Sequence, residues 1–246
     1  MTINSSPEPP ISLKSFSADS LAVVIGASGG LGAAFMQEMI ASGQFAMSLG
    51  LSRRSTPSLN LLSEPSIAAA AAHVSGLPHP PRLIIDATGF LHGSGHMPEK
   101  SWAQIDAAHL AHAFAINASG PALLMKHFLP LLPRTGKAAF ITLSAKVGSI
   151  GDNHLGGWYA YRTAKAALNQ FIRTAAIELA RRRPDAVCAA LHPGTVTTDL
   201  SAPFAKSGLN IAQPNIAAGR LLRVIDALTS AQNGGFFDYR GNPLPW

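Results

Sequence analysis

The feature that most constrains the fold is a run of glycines between a short apolar segment and an amphipathic one. Residues 23–25 are β-branched, which is typical of a buried strand, and residues 33–40 have the apolar spacing of a helix. Gly26, Gly30 and Gly32 lie between these two segments. A strand that turns through glycines into a helix leaves free N–H groups and the positive end of the helix dipole at the turn. The pattern therefore predicts a phosphate site in an α/β fold.

Each glycine of this turn has a predicted role. Gly26 permits the tight turn, Gly30 lets the backbone approach a pyrophosphate, and Gly32 allows close packing of the helix on the strand. Ser28 and Leu31 lie within the same turn and are further expected contacts. The spacing is Gly-x-x-x-Gly-x-Gly, whereas the commonest dinucleotide fingerprint is Gly-x-Gly-x-x-Gly. An ordinary glycine-rich turn between a strand and a helix is thus the alternative.

Strand-like and helix-like segments alternate along the whole chain. The predicted strands are Leu21–Ile25, Phe45–Leu51, Arg82–Ala87, Lys137–Leu143, Ala186–Leu191 and Gly235–Tyr239, with one further short strand considered at Leu59–Leu62. The predicted helices are Leu31–Ala41, Ser66–Val74, Ser101–Ala115, Gly120–Leu131, Trp158–Arg182 and Asn215–Ser230. This alternation indicates an α/β fold with a doubly wound parallel sheet and helices on both faces. Residues 21–246 are expected to form one domain, preceded by a polar, proline-rich and flexible leader at residues 1–20.

Composition excludes several other classes of protein. The chain has 246 residues, of which 47% are hydrophobic and only 13% charged, so chain-wide disorder is not expected. No apolar run is long enough to cross a bilayer, and no secretory signal pattern opens the chain. The single cysteine, Cys188, has no second cysteine to pair with and lies in a predicted buried strand. These features predict a cytoplasmic protein that does not bind membranes.

The basic charge and the histidines do not indicate a nucleic-acid or metal site. The net charge is +6, and the densest basic run, Arg181–Arg183, is placed where cations complement a helix C-terminus. No nucleic-acid partner is therefore expected. His92 and His96 are four residues apart and His109 and His112 three apart, but neither pair has carboxylates or cysteines at ligand spacing. No metal site is predicted.

A tyrosine and a lysine provide the predicted acid–base chemistry. Tyr161 and Lys165 are four residues apart on the Trp158–Arg182 helix and so share one face. An ammonium beside a phenol favours the phenolate and lowers the pKa of the phenol. A tyrosine tuned in this way can exchange a proton near neutral pH, as catalysis on a carbonyl or an alcohol requires.

The end of the second predicted strand bears on which dinucleotide would bind at the predicted phosphate site. Proteins that bind NAD usually place an acid there to hold the ribose 2′-hydroxyl, whereas arginine accommodates a 2′-phosphate. Ser52, Arg53 and Arg54 follow the strand, with no acid among them. A guanidinium matches the geometry of a phosphate. The segment favours NADP(H), with a solvated basic turn as the alternative.

Further motifs resemble the short-chain dehydrogenase/reductase superfamily. They are Asp86-Ala87-Thr88-Gly89, Asn117, and Pro193-Gly194-x-Val196-Thr197, which together with the glycine turn and the Tyr161–Lys165 pair follow the order of that family. The stretch from Gly148 to Thr163 resembles the subgroup of C-factor and sniffer-type carbonyl reductases.

The resemblance implies a Rossmann-type sheet of about seven strands and a nicotinamide cofactor. Tyr161 would protonate the carbonyl oxygen, Lys165 would lower the pKa of Tyr161 and bind the nicotinamide ribose, and Asn117 would hold a water at a helix kink. Asn60 stands where many relatives have an aspartate that contacts the adenine. A homodimer or homotetramer paired through the Gly120–Leu131 and Trp158–Arg182 helices is also implied. The remaining cofactor contacts would be Ala87, Thr88, Gly89, Pro193, Gly194, Thr195, Val196 and Thr197.

One position departs from the family. The family has a catalytic serine as the second residue of a Ser-Ser pair, and this chain has Ser144-Ala145 there. A shift of one residue along a strand turns a side chain to the opposite face, so Ser144 replaces the serine only if the strand end is bulged or already turning. Ser149, in the following loop, is the second candidate. The third alternative is that no serine takes part.

These features predict an NADPH-dependent reductase that acts on an aldehyde or ketone of a small, mostly apolar molecule. The alternative is an NADP(H)-binding regulatory or signalling protein with little turnover, which Ala145 and the resemblance to C-factor favour. Specificity for the carbonyl or alcohol substrate is expected to come from the segments Phe90–Glu99, Ser149–Gly157 and Ser201–Gln213.

Overall fold

The computed structural model describes residues 11–93, 95–204 and 211–246. The strands are β1 (Leu21–Ile25), β2 (Met47–Leu51), β3 (Pro81–Asp86), β4 (Ala138–Leu143), β5 (Ala186–His192), β6 (Thr195–Val196), β7 (Ile211–Ala212) and β8 (Phe236–Asp238). The α-helices are α1 (Gly30–Ser42), α2 (Glu64–Ser75), α3 (Ala107–Phe114), α4 (Gly120–Phe128), α5 (Tyr159–Arg182) and α6 (Pro214–Ala227).

The main sheet positions the site. Its six strands are all parallel and lie in the order β2-β1-β3-β4-β5-β8. The chain runs outward from β1 to β2 and then crosses back to β3, so the order reverses between β1 and β3. Ligands of doubly wound sheets bind at this kind of reversal, beyond the carboxyl ends of the strands. The residues that follow Ile25 and Asp86 therefore flank the expected crevice.

The sheet has one strand fewer than the resemblance implied, and the extra strand considered at residues 59–62 is wrong. Those residues form a turn, in which the Asn60 Oδ1 accepts the Leu62 amide at 3.1 Å and the Asn60 amide donates to Ser66 Oγ at 3.0 Å. An asparagine side chain that binds nearby backbone offers the chain an alternative to strand pairing.

Helices cover both faces of the sheet. The alternating side chains of β1 belong to two buried clusters, with Ala22 and Val24 in one and Val23 and Ile25 in the other. Side chains of α1 and α6 complete the first cluster, and side chains of α2, α4 and α5 complete the second. Each strand is thus buried on both sides, which explains its nearly continuous apolar sequence.

Part of the predicted flexible leader is packed against this core. Leu13 and Phe16 are buried in the cluster beside α1 and α6, and Ser15 donates from its amide and its hydroxyl to Asp226 Oδ1. The burial of these two apolar residues was not predicted, because residues 1–20 are mostly polar. Residues 1–10 lie outside the described part of the chain.

The helical region between β3 and β4 is kinked. The predicted helix at Ser101–Ala115 begins later, at Ala107, because Asp106 caps it by accepting the His109 amide at 2.8 Å. A π-helical turn at Ala115–Ser119 joins α3 to α4. Such turns interrupt the regular hydrogen-bond ladder of a helix and occur often at functional sites. Asn117 lies in the middle of this turn.

Candidate active site

The glycine turn has the geometry that its sequence predicts. Gly26 has a φ of +86°, and its amide donates to the Leu51 carbonyl at 2.8 Å, which ties the turn to the end of β2. Helix α1 begins at Gly30, and no side chain caps it. Ser28, Gly29 and Gly30 are exposed. The first turn of α1 therefore presents uncapped N–H groups and the helix dipole to the crevice.

Gly32 shows most clearly why glycine is required here. A Cβ at this position would lie 2.1 Å from the Gly26 carbonyl oxygen and 2.8 Å from the Gly26 carbonyl carbon. The start of α1 can approach β1 this closely only without a side chain. The predicted role of Gly32 in packing of the helix on the strand is confirmed.

The end of β2 carries two exposed guanidinium groups beside the glycine turn. Leu51, the last residue of β2, accepts the amides of both Gly26 and Ala27. The next residue, Ser52, receives the Arg54 amide on its Oγ at 3.1 Å and forms a tight turn. Among the described residues, the side chains of Arg53 and Arg54 have no ion-pair partner. Their charges are thus available to an anion at this edge of the crevice.

The end of β3 lies directly against the glycine turn. A Cβ on Gly26 would lie 3.1 Å from the Ala87 carbonyl carbon and from Thr88 Cγ2. Asp86 is fully buried, and its Oδ1 accepts the amide and the hydroxyl of Thr88 at 3.0 and 2.5 Å. Burial raises the pKa of Asp86, and the hydrogen bonds from Thr88 oppose that shift. Its Oδ2 has no hydrogen-bond partner among the described residues.

Asn117 ties the kinked helix to the loop after β3. Its Oδ1 accepts the Phe90 amide at 2.9 Å, and its Nδ2 donates to the Phe90 carbonyl at 2.7 Å. The side chain is fully buried beside Gly89, where a Cβ would lie 3.7 Å from the Asn117 Oδ1. The structure thus contains the helix kink that the resemblance implies, with both polar atoms of the amide bound to backbone.

Tyr161 and Lys165 lie on one face of α5 as predicted. The Lys165 Nζ is 5.8 Å from the centroid of the Tyr161 ring and donates to the Leu143 carbonyl at 2.9 Å. Lys165 is only 2% exposed. Burial lowers its pKa to about 8, although the carboxylate of Asp86 opposes that shift. The end of β4 and the buried acid of β3 therefore set the environment of this ammonium.

The predicted effect of Lys165 on Tyr161 is absent in this structure. Burial raises the pKa of Tyr161, whereas the sequence predicted a lowered value. The Lys165 ammonium is bound to the Leu143 carbonyl. The Tyr161 hydroxyl is therefore protonated at neutral pH.

Neither predicted serine has a free hydroxyl. Ser144 is buried, its amide continues the ladder to Leu191 at 2.9 Å, and its Oγ donates to Asn169 Oδ1 at 2.7 Å. The strand end is thus neither bulged nor turning at this residue. Ser149 is also buried, and its Oγ donates to the Trp246 carbonyl at 3.2 Å and accepts the Asp152 amide.

Ala145 remains at the position where the family has its serine. Its backbone is extended, with φ −143° and ψ 142°, so its methyl group lies on the strand face opposite to Ser144. Of the three alternatives left open by the sequence, the structure favours a site without a serine hydroxyl.

The segment after β5 passes over the glycine turn. Gly194 has a φ of +77°, and the following Thr195 and Val196 form β6, which pairs with β7. The Thr197 amide donates to the Ala212 carbonyl at 2.9 Å. A Cβ on Gly30 would lie 3.2 Å from Thr198 Cγ2, so this segment closes on the start of α1. Sequence reasoning missed Thr198, because its position depends on a contact between distant parts of the chain.

Aromatic rings lead outward from Tyr161. The Trp158 ring lies 6.3 Å from the ring of Tyr161 and 5.2 Å from that of Phe204, and the His92 ring lies 5.5 Å from Phe204. His92 Nε2 is 3.1 Å from the Asp199 carbonyl oxygen. These contacts join two of the three predicted specificity segments. Ser94 of the first and residues 205–210 of the last lie outside the described residues.

Other histidines of this region are in ring contact with each other. The rings of His96 and His109 stack at 4.6 Å with an interplanar angle of 5°. Within the described ranges, no group of three histidine, cysteine or acidic side chains is arranged to hold a metal ion. Within the same ranges, no helix is long and apolar enough to cross a membrane.

Comparisons with known proteins identify the family. A family model described as enoyl-(acyl carrier protein) reductase matches residues 83–230. The C-signal protein of Myxococcus xanthus is 39% identical over 143 residues, which cover 58% of this chain and 81% of that protein. The 1-hydroxy-2-glutathionyl-2-methyl-3-butene dehydrogenase of Rhodococcus is 32% identical over 190 residues, which cover 77% and 79% of the two chains.

Solved structures agree with these relatives. The carbonyl reductase Sniffer of Drosophila melanogaster superposes with a TM-score of 0.78 at 25% identity, over 93% of this chain and 99% of that one. An NADPH-bound carbonyl reductase from chicken fatty liver superposes with a TM-score of 0.81, also at 25% identity, over 98% and 100% of the two chains. The switch-point crevice, the Tyr161–Lys165 pair and these relatives agree, and the chain belongs to the short-chain dehydrogenase/reductase family of oxidoreductases.

Proposed function

We propose that this protein is an NADPH-dependent reductase that converts a carbonyl of a small, mostly apolar molecule to an alcohol. The observation that carries the proposal is the position of Tyr161 on α5, one turn before Lys165, whose ammonium lies 5.8 Å from the Tyr161 ring and is bound to the carboxyl end of β4. Lys165 is buried one helical turn further on. A proton donor next to an anion-binding glycine turn is the arrangement that carbonyl reduction requires.

The residues present fit a dinucleotide phosphate. The uncapped start of α1 offers N–H groups to the pyrophosphate, and Gly32 brings that helix end against β1 where a Cβ would clash. Arg53 and Arg54 fit a 2′-phosphate, with Ser52 as a further donor, and no acid at the end of β2 competes for a 2′-hydroxyl. The NADPH bound to the chicken fatty liver relative supports the same choice of cofactor. The further proposed contacts are Gly26, Ser28, Gly30, Leu31, Asn60, Ala87, Thr88, Gly89, Asn117, Pro193, Gly194, Thr195, Val196 and Thr197.

The acid–base residues complete the reduction. Bound NADPH supplies the hydride that adds to the carbonyl carbon. Tyr161 donates its hydroxyl proton to the carbonyl oxygen, so the alcohol O–H bond forms and Tyr161 is left as the phenolate. Lys165, whose pKa of about 8 keeps it charged at neutral pH, then stabilises the Tyr161 phenolate and binds the nicotinamide ribose. Water then reprotonates the phenolate, and the helix kink at Asn117 is the proposed site of that water.

Reduction and oxidation use different protonation states of Tyr161. Reduction uses the protonated hydroxyl, whereas alcohol oxidation needs the phenolate as a base. Burial raises the pKa of Tyr161, so at neutral pH the hydroxyl carries the proton that reduction uses.

A second function has a specific observation in its favour. Ala145 deprives the carbonyl oxygen of a serine donor, and loss of one such donor costs on the order of 10²–10³ in rate. Together with the similarity to the C-signal protein, this supports an NADP(H)-binding regulatory or signalling protein with little turnover. The two functions differ in turnover and agree in cofactor binding.

A homodimer is the proposed assembly. Phe171 and Ile177 on α5 are 44% and 50% exposed, and large apolar side chains in this position suit an interface. Light scattering with Phe171→Lys as the variant tests this. A monomeric wild type would contradict it.

The experiment that tests the function is NADPH oxidation with a panel of aldehydes, ketones and quinones. NADH serves as the control for cofactor choice, and Tyr161→Phe as the control for mechanism. Turnover with NADPH that disappears in the variant supports the reductase. Tight NADPH binding without turnover on any substrate favours the regulatory alternative.

A further inference from the structure

The chain before α5 has an unusual backbone. Gly156, Gly157 and Trp158 have φ values of +63°, +66° and +55°, so three consecutive residues occupy the left-handed region. Glycine adopts this region readily, but the Cβ of tryptophan approaches the following carbonyl oxygen. A strained residue of this kind persists only where its surroundings hold it in place. Tyr161 lies three residues further on, in the first turn of α5. The contacts that hold Trp158 therefore also help to set the position of Tyr161.

Glu99 holds this segment from the loop after β3. Its carbonyl accepts the Trp158 amide at 2.5 Å, and its two carboxylate oxygens lie 3.2 and 3.4 Å from the Ala160 amide. Its side chain is only 3% exposed. A carboxylate at this end of α5 satisfies an otherwise unpaired N–H and complements the helix dipole. Glu99 thus binds both the strained residue and the first turn of the helix that carries Tyr161.

His109 in turn holds Glu99. Its Nδ1 lies 3.1 Å from Glu99 Oε1, and it is only 5% exposed. The ring of His96 stacks on the ring of His109. The carboxylate of Glu99 is therefore fixed by α3 behind it as well as by α5 in front of it.

Arg162 holds the same segment from the helix. Its Nε donates to the carbonyls of Gly157 at 2.9 Å and Gly156 at 3.2 Å, and its Nη1 donates to the Val147 carbonyl at 3.1 Å. These bonds fold the left-handed segment back on α5 and tie it to the turn after β4. Arg162 is adjacent to Tyr161 in sequence. The bonds that Arg162 makes therefore also restrain the backbone at Tyr161.

We propose that Glu99 and Arg162 are positioning residues that aim the Tyr161 hydroxyl at the substrate oxygen, with His109 fixing the carboxylate of Glu99. This inference rests on the proposed function of Tyr161 as proton donor. A displacement of a reacting group by about 1 Å is enough to cost on the order of 10²-fold in rate. Two polar clamps on a strained segment next to the proton donor provide the required rigidity.

The test is a set of double-variant cycles on NADPH oxidation. Glu99→Gln removes the charge but keeps the shape and the backbone carbonyl, and Arg162→Met removes the donors but keeps the aliphatic stem. We expect each to lower kcat by about 10–100-fold, since misplacement by less than 1 Å costs less than the full factor. NADPH affinity should not change. Glu38→Gln and Arg173→Met are the matched controls, because Glu38 lies on α1 and Arg173 lies about three helical turns beyond Tyr161 on α5, and they should keep the wild-type rate.

The Tyr161→Phe background separates positioning from general destabilisation. If Glu99 and Arg162 act through Tyr161, each substitution should cause no further loss once the hydroxyl is gone. An equal loss in both backgrounds, or no loss in either, would overturn the inference. Arg162→Lys keeps the charge and an N–H donor group but loses the guanidinium fork, so relative to Arg162→Met it should recover part of the rate. If Tyr161→Phe itself turned over like the wild type, the proposed function would fail first and the inference with it.

Discussion

The cofactor side and the proton-transfer side of the crevice differ in what determines their geometry. On the cofactor side, the backbone decides, because Gly32 has no space for a Cβ and Gly26 has a positive φ. On the proton-transfer side, side-chain partners decide, because Lys165 binds the Leu143 carbonyl and Ser144 binds Asn169. The geometry of the cofactor side can therefore be predicted from residue types. The geometry of the proton-transfer side depends on which of several possible partners each side chain contacts in the folded protein.

The largest expected effect sharpens this comparison by separating the two sides. Tyr161→Phe removes the proton donor and leaves the glycine turn intact, so kcat should fall by about 10²–10⁴-fold. The dissociation constant of NADPH should not change. Steady-state kinetics and fluorescence titration on the same protein measure both quantities, and Tyr159→Phe is the matched control. Loss of NADPH binding together with turnover would break the distinction between the two sides.

The next effect concerns stability on the proton-transfer side. The pKa of Lys165 is lowered from 10.5 to about 8 in the folded protein, so the unfolded state binds more protons between these values. The free energy of unfolding of the wild type should therefore rise with pH across this window, by on the order of 3 kcal/mol from this group. Lys165→Met removes this rise of stability with pH. Loss of the ammonium also raises the pKa of Asp86, so the variant should lose stability as its carboxyl group ionises. Both changes make the wild type gain stability relative to the variant as the pH rises.

Urea denaturation at pH 7 and pH 10 checks this prediction. The wild type should gain stability relative to Lys165→Met as the pH rises. A difference between the two proteins that stays constant over this range would mean that the ammonium is not desolvated.

A smaller effect is expected at the phosphate edge of the cofactor side. Arg53→Ala removes a charge-assisted hydrogen bond, which is worth about 1.5–3 kcal/mol, so the KM for NADPH should rise by roughly 10–100-fold. The KM for NADH should not change, because it has no 2′-phosphate. Arg54→Ala should have a weaker effect, and Arg181→Ala, at the far end of α5, should have none. An equal loss for both cofactors would show that Arg53 does not read the phosphate.

The smallest expected effect tests the missing serine. Ala145→Ser places a hydroxyl where the family has one and should raise kcat by about tenfold, a part of the factor that one oxyanion donor provides. Ser144→Ala should leave kcat nearly unchanged, because the Ser144 hydroxyl is bound to Asn169. The pair of variants is compared under identical substrate conditions. If Ser144→Ala were the variant that lost activity, Ser144 would be the donor and the assignment of Ala145 would be wrong.

The sequence predicted the fold and the geometry of the glycine turn well because both depend on residue types at fixed spacing. Alternating apolar segments predicted the order of strands and helices, and the glycines predicted the turn. The polar composition of residues 1–20 hid the buried Leu13 and Phe16. Asn60 lies in a turn, although the leucines on either side of it suggested a short strand.

The proton-transfer side was predicted only in its residues and not in their partners. Spacing placed Tyr161 and Lys165 on one face of α5, but it could not show that the ammonium would bind a strand carbonyl. Glu99 was predicted only as the last residue of a specificity segment, and its contact with Ala160 was missed because it joins residues 61 positions apart. The Gly-Gly-Trp sequence before α5 was the available signal, since two glycines next to a helix start indicate a special backbone conformation.

The most direct test of the account is a crystal structure with NADP⁺ and an alcohol product bound. We predict the pyrophosphate at the start of α1 and the alcohol oxygen within about 2.6–3.2 Å of the Tyr161 hydroxyl. Ser144 should remain bound to Asn169 and Ser149 to Trp246. An alcohol oxygen bound to either serine, or a cofactor away from the glycine turn, would contradict the account.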